Sequence, residues 1–133
     1  MTREPPAALL SSLPRAARRS FARLYPQAPA TLEHLRNRLS RQTADVDSAA
    51  AGRSGVDVAL SEAITERLER LLGEWDQLDE EQRAVVHAAV EYYVLDDDGE
   101  ADLDSELGFE DDAAVVNACV RWLGRAELVI RDR

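Results

Sequence analysis

The residues with most chemical capacity lie in one stretch, "LDDDGEADLDSELGFEDDA", residues 95–113. Ten of the seventeen residues in 96–112 are carboxylates, directly after the apolar run "AAVEYYVL". Three physical accounts compete for them. In the first, Asp111 or Asp112 caps the helix that follows, where the N-terminus needs acceptors and favours negative charge. Asp98 and Asp102 then hold the loop through backbone N–H groups, and Gly99 and Gly108 take positive φ. In the second, Asp96, Asp98, Asp102 and Asp111 or Asp112 hold a hard cation such as Ca²⁺ or Mg²⁺, since crowded carboxylates are costly without a counter-charge. The EF-hand pattern does not supply that site. With Gly99 at the sixth position, the first is Val94 and the twelfth Ser105; with Asp96 first, the sixth is Ala101 and the twelfth Leu107. In the third, the loop receives arginines, from residues 15–41 or from a partner protein. No other cofactor is indicated.

Other reactive side chains have plain structural readings. Asp79, Arg83, His87 and Glu91 recur every fourth residue and form a polar stripe, read as a solvated face with a modest ion pair. A His/Glu pair at that spacing can ligate a metal, but it supplies only two ligands. His34, within "EHLRNR", is expected at the surface. Cys119 follows the apolar spacing of its helix and reads as a small buried hydrophobe, since a catalytic thiol needs a nearby base or a helix N-terminus. The serines stand in no Gly-x-Ser-x-Gly elbow. Lysine is absent, which removes P-loop and Schiff-base chemistry, and one cysteine removes cysteine-rich zinc sites. No catalytic residue is assigned, and the chain is expected to be non-enzymatic.

These groups must be positioned by helices. Ala, Leu, Arg and Glu dominate, and strand-like alternation is nearly absent. Residues 1–12 are expected to fray. Pro14 suits a first helical turn, and Leu13, Ala17, Phe21 and Leu24 make a stripe opposite Arg15, Arg18, Arg19 and Arg23 until Pro26 and Pro29 end it. Thr31 is the expected N-cap of a second helix with Leu32, Leu35, Leu39 and Val46 on one side. "SAAAGRSG", residues 48–55, breaks the pattern and is the internal boundary. Leu60, Ile64, Leu68, Leu71, Leu72 and Trp75 define a third helix, with Glu62, Glu66, Glu69 and Arg70 facing outward. Asp79 caps a fourth, whose broad apolar face (Val85, Val86, Ala89, Val90, Tyr92, Tyr93) implies burial on most sides. Val115, Val116, Cys119, Val120 and Leu123 mark a fifth, ended or bent by Gly124. "ELVI" follows as a further helical turn or a short extended tail. Trp75 and Trp122 read as core or interface anchors. The fold expected is all-α, a compact bundle of about five helices with an acidic loop between the last two.

Charge divides the chain. Residues 1–53 carry nine Arg against four acids, a balance of +5, whereas residues 54–133 carry seven Arg against 22 acids, a balance of −15. The first part reads as a basic helical arm or helix pair and the second as an acidic helical domain, the arm lying against its own body or a second copy. The acidic body repels nucleic acid and anionic lipid. The arginines of residues 15–23 are too few for firm binding to either at physiological salt. Protein contact or self-association is the expected mode of action. Apolar runs are too short for a membrane span, no secretory signal is evident, and one cysteine fits a reducing, cytoplasmic setting.

The segment "VEYYVLDDDGEADLDSELGFEDDAAVV" resembles the core of the YkvA-like family of small bacterial domains, over about residues 84–124. Asp98 and Asp102 match its early aspartates, and Gly108, Phe109, Asp111 and Asp112 match its Gly-aromatic-x-Asp-Asp element. Ala101 and Ser105 stand where the family has prolines, and Glu110 where it has an apolar residue. The resemblance implies a compact helical domain and no activity.

Overall fold

The structure is a computed structural model, and it describes residues 4–26, 30–52, 58–95 and 110–130. Among the described residues, six α-helices pack together: α1 (Ala7–Ser12), α2 (Arg18–Leu24), α3 (Leu32–Gly52), α4 (Val58–Gly73), α5 (Glu80–Leu95) and α6 (Glu110–Trp122). Short 3₁₀ turns, Arg15–Ala17, Trp75–Gln77 and Ala126–Leu128, lie beside them. The described residues contain no strand. None of their helices is long and apolar enough to cross a membrane. The all-α bundle expected from composition is therefore the observed architecture, with one helix more than the apolar periodicity suggested.

The centre of the bundle is α5. Ala84, Val85, Val86, Ala88, Ala89, Val90, Tyr92 and Tyr93 are all buried, which covers nearly every direction around its axis. A helix apolar on most sides must be surrounded, and α2, α3, α4 and α6 all pack against it. Only the line of Arg83, His87 and Glu91 keeps polar groups along its middle. Its start is fixed by a reciprocal capping box. Asp79 Oδ1 accepts the Gln82 N–H at 2.8 Å, and Gln82 Oε1 accepts the Asp79 N–H at 2.8 Å.

The basic part contributes to the same core. Leu9, Leu13, Ala17, Phe21 and Tyr25 are buried at intervals of four, and Leu35 and Leu39 join them. One cluster holds these residues together with Ile64, Leu68, Leu71, Leu72, Val115, Val116 and Cys119 from residues 54–133. The expected fraying of residues 1–12 is corrected for 7–12. That segment is helical and packs on α6, with Leu9 fully buried. The expected break at 48–55 is corrected in part, because α3 continues to Gly52; the proposed 53/54 boundary lies outside the described residues.

The segment after α6 is pinned as far as Ile130. Gly124 closes α6 at φ 78° in a Schellman motif, with Arg125 N–H on Val120 O at 2.7 Å and Gly124 N–H on Arg121 O at 3.1 Å. A side chain there would be strained by that φ alone. Asn117 then holds Ile130 as a strand neighbour would: its Oδ1 accepts the Ile130 N–H at 2.6 Å, and its amide donates to Ile130 O at 3.0 Å. Arg67 Nε donates to Leu128 O at 2.8 Å, and Arg125 pairs with Glu74 and Glu127. "ELVI" is thus a 3₁₀ turn followed by an extended segment.

Candidate functional site

Of the residues singled out in the acidic stretch, Asp96, Asp98, Asp102 and Gly108 lie outside the described residues. Asp111 and Asp112 are described. α6 is described from Glu110, with both in its first turn. Both face the positive end of the helix macrodipole. Asp111 is exposed, whereas Asp112 is 2% exposed. Among the described residues, no three His, Cys, Asp or Glu side chains are placed to hold a metal.

The arginines of the basic part separate by role. Arg18 ties the α1–α2 corner, with Nε donating to Leu13 O at 3.2 Å and Nη2 to Ser11 O at 3.2 Å. Arg15, Arg19 and Arg23 are exposed at successive helical spacings. Cys119 is fully buried, and burial pushes its thiol far above the ordinary range, so no thiolate nucleophile is present near neutral pH. The buried Ser61 hydroxyl meets the Tyr93 phenol, with Thr65 beside it.

The informative geometry lies along the polar line of α5. The reading of Asp79, Arg83, His87 and Glu91 as a solvated stripe is corrected: residues 30–38 cover much of it. His87 Nδ1 accepts the Ala30 N–H at 3.1 Å, a contact 57 positions apart in sequence. One turn on, Arg38 Nε donates to Glu91 Oε1 at 2.8 Å, with the two side chains 27% and 15% exposed. One turn back, Arg83 Nε donates to Trp75 O at 2.9 Å, and its guanidinium lies 5.2 Å from the Trp75 ring centre. Burial pushes the His87 imidazole below its ordinary range, partly offset by Glu91; His34 and Arg38 push it the same way as burial. His34 itself is exposed, as expected.

Beside this line is an open groove of about 410 Å³, lined by Ala30, Thr31, Leu32, Trp75, Glu80 and Arg83. Glu80 also lines a second hollow of about 390 Å³, with Tyr25, Asp79 and Glu81. Each wall has a local cause. Thr31 caps α3 as expected, its Oγ1 accepting the His34 N–H at 3.1 Å. The capping box places Asp79, Glu80 and Glu81 at the start of α5, where the dipole favours acids. Trp75, 7% exposed, lines the first hollow, and Tyr25, 4% exposed, lines the second. Acids at the start of α5 and one largely buried aromatic ring thus border each hollow.

Sequence reasoning missed Ala30, because a backbone N–H has no sequence signature, and Arg38, because its partner is on another helix. Asn117 did leave a signal: a lone amide among Val115, Val116, Ala118, Cys119 and Val120 implies a fixed hydrogen-bond partner.

Family models, curated proteins and solved structures were all compared with the chain, and none matches it.

The Arg38–Glu91 pair is sheltered enough to matter and wet enough not to dominate. Arg38→Ala and Glu91→Ala should each lower unfolding stability by about 1–2 kcal/mol. In a double-mutant cycle followed by urea unfolding, the coupling should be favourable and about 0.5 kcal/mol or more. Strict additivity would show that the pair does not join α3 to α5.

Proposed function

We propose that this is a non-enzymatic, cytoplasmic helical protein that acts through contacts with other proteins. Its contact surface is the groove at the start of α5, and the segment it receives carries arginine or lysine. The observation that supports this most is the acidic start of α5: Glu80 lines both hollows, with Trp75 in one and Tyr25, Asp79 and Glu81 in the other. Cations gain from carboxylates, and the Trp75 face already carries the Arg83 guanidinium. Aromatic anchors in a desolvated patch are also where interface energy concentrates. The balance of −15 over residues 54–133 adds long-range attraction for a basic partner. The resemblance to the YkvA-like family fits a compact helical domain and names no activity or partner.

Titration with an arginine-rich peptide, followed by tryptophan fluorescence, tests this. Binding should weaken steeply with salt. Replacing Glu80 and Glu81 by Gln should weaken it severalfold more than replacing Glu62 and Glu69, exposed acids on α4. Equal losses from the two pairs would mean diffuse attraction to an acidic surface, and the groove would have no special part.

A second reading keeps the divalent cation. Its specific support is Asp112, a carboxylate 2% exposed at the end of the ten-carboxylate stretch. A cation held by Asp96, Asp98, Asp102 and Asp111 or Asp112 would offset that crowding, and such a site could be structural or hydrolytic. A ligand at a hundred times its dissociation constant stabilises the folded state by about 2.7 kcal/mol. Millimolar Ca²⁺ or Mg²⁺ should then raise the thermal midpoint by several degrees over EDTA, and Asp98→Asn or Asp111→Asn should abolish the rise. An unchanged midpoint would leave the carboxylates to loop and helix-end structure.

A further inference from the structure

Ala30 has two roles at once. Its side of the chain is a wall of the groove, and its N–H is bonded to His87. It also immediately precedes Thr31, the cap of α3, so whatever fixes Ala30 fixes where α3 begins. An imidazole nitrogen can accept a hydrogen bond only in the neutral ring, with the proton on Nε2. In the imidazolium both nitrogens carry hydrogen, and Nδ1–H would face the Ala30 N–H, donor against donor. Protonation cannot leave this contact as it is.

From this we infer that His87 is a pH-operated latch on the groove: neutral, it holds the Ala30–Leu32 wall closed against α5, and protonated, it releases that wall. The position is suited to such a device. His87 is half-buried, so it is shielded enough for the bond to count and open enough for a proton to arrive. Among the described residues, the charged groups acting on it are Glu91 on its own helix and His34 and Arg38 on α3. Glu91 is engaged by Arg38 and is not free to turn fully toward a new imidazolium. Burial opposes the charged ring. The folded state therefore takes the proton at lower pH than the unfolded chain does. The stabilisation is complete above the ordinary histidine value near 6.5 and is lost as the pH falls from there through the lower folded value. Histidine is the side chain suited to switching in this interval.

Release has a definite consequence for binding. A basic segment held between the Ala30–Leu32 wall and the acidic rim loses one wall and gains a positive neighbour. Its affinity should fall as the pH drops. This consequence rests on the groove being a contact surface; the latch itself does not.

The test is an NMR titration of the full chain from pH 7.5 to 5, following the His87 ring and the Ala30 amide together. The Ala30 resonance should move with the midpoint of His87, and in His87→Gln, whose amide oxygen can still accept the bond, it should stay still. His34→Gln should leave the Ala30 response in place. An Ala30 resonance that ignores the His87 midpoint, or that still moves in His87→Gln, would overturn the latch. Affinity for the arginine-rich peptide should drop severalfold between pH 7.5 and 5.5 in the natural chain, and much less in His87→Gln. Equal drops in both would overturn control of the groove by His87. A peptide that binds at neither pH, beside a normal Ala30 response, would instead count against the groove as a contact surface.

Discussion

The structure depends on the need to bury α5 from almost every direction. Eight of its side chains are buried, and they point toward four different helices. Removing a valine-sized side chain from water contributes about 1.5–3 kcal/mol, so no packing that leaves one side of α5 open is competitive. Alanines at 84, 88 and 89 also let neighbouring helices approach closely. The other helices are arranged as the cover this demands. α4 and α6 supply part of it, and α2 and α3, from the basic part, supply the rest.

A helix buried this fully has one line on which polar groups can remain, and their hydrogen bonds must be met there. That line is Arg83, His87 and Glu91. Each residue is used to fasten another segment: Arg83 to the turn at Trp75, His87 to Ala30, Glu91 to Arg38. The groove, its acidic rim and the histidine contact all follow from where this line emerges at the start of α5. Arg83 and Trp75 belong both to the groove and to the fastening of α5, so the chemistry open to the groove is limited by what α5 needs for its own packing.

Much of the architecture was legible in apolar spacing. The cores of α4, α5 and α6 sit on the residues whose periodicity marked them, and Thr31, Asp79 and Gly124 act at the helix ends where their chemistry placed them. Two features were hidden for physical reasons. Helix α1 sits among Pro5, Pro6, Ser11 and Ser12, which read as a frayed end, while Leu9 quietly extends the four-residue rhythm of Leu13, Ala17 and Phe21. The polar line of α5 looked solvated because periodicity tells which residues share a face and not what covers that face. Charge suggested a basic arm lying against an acidic body, its own or a second copy's. Packing follows the apolar residues, and burial of Phe21 or Leu35 is indifferent to the arginines on the opposite side of the same helix. The acidic stretch was legible as a cluster, but only its last carboxylates, Glu110, Asp111 and Asp112, fall within the described residues.

The central claim is that the basic helices belong to the core around α5. Both tryptophans, Trp75 and Trp122, lie in residues 54–133, so fluorescence reports on the acidic part alone while far-UV circular dichroism reports on all helices. Phe21, fully buried on α2, is the residue to truncate. Urea unfolding of Phe21→Ala followed by both signals should give one coincident transition, shifted from that of the natural chain by about 3–5 kcal/mol. A tryptophan transition that stays where it was, while part of the dichroism is lost at lower urea, would contradict the account and make the basic helices an appendage.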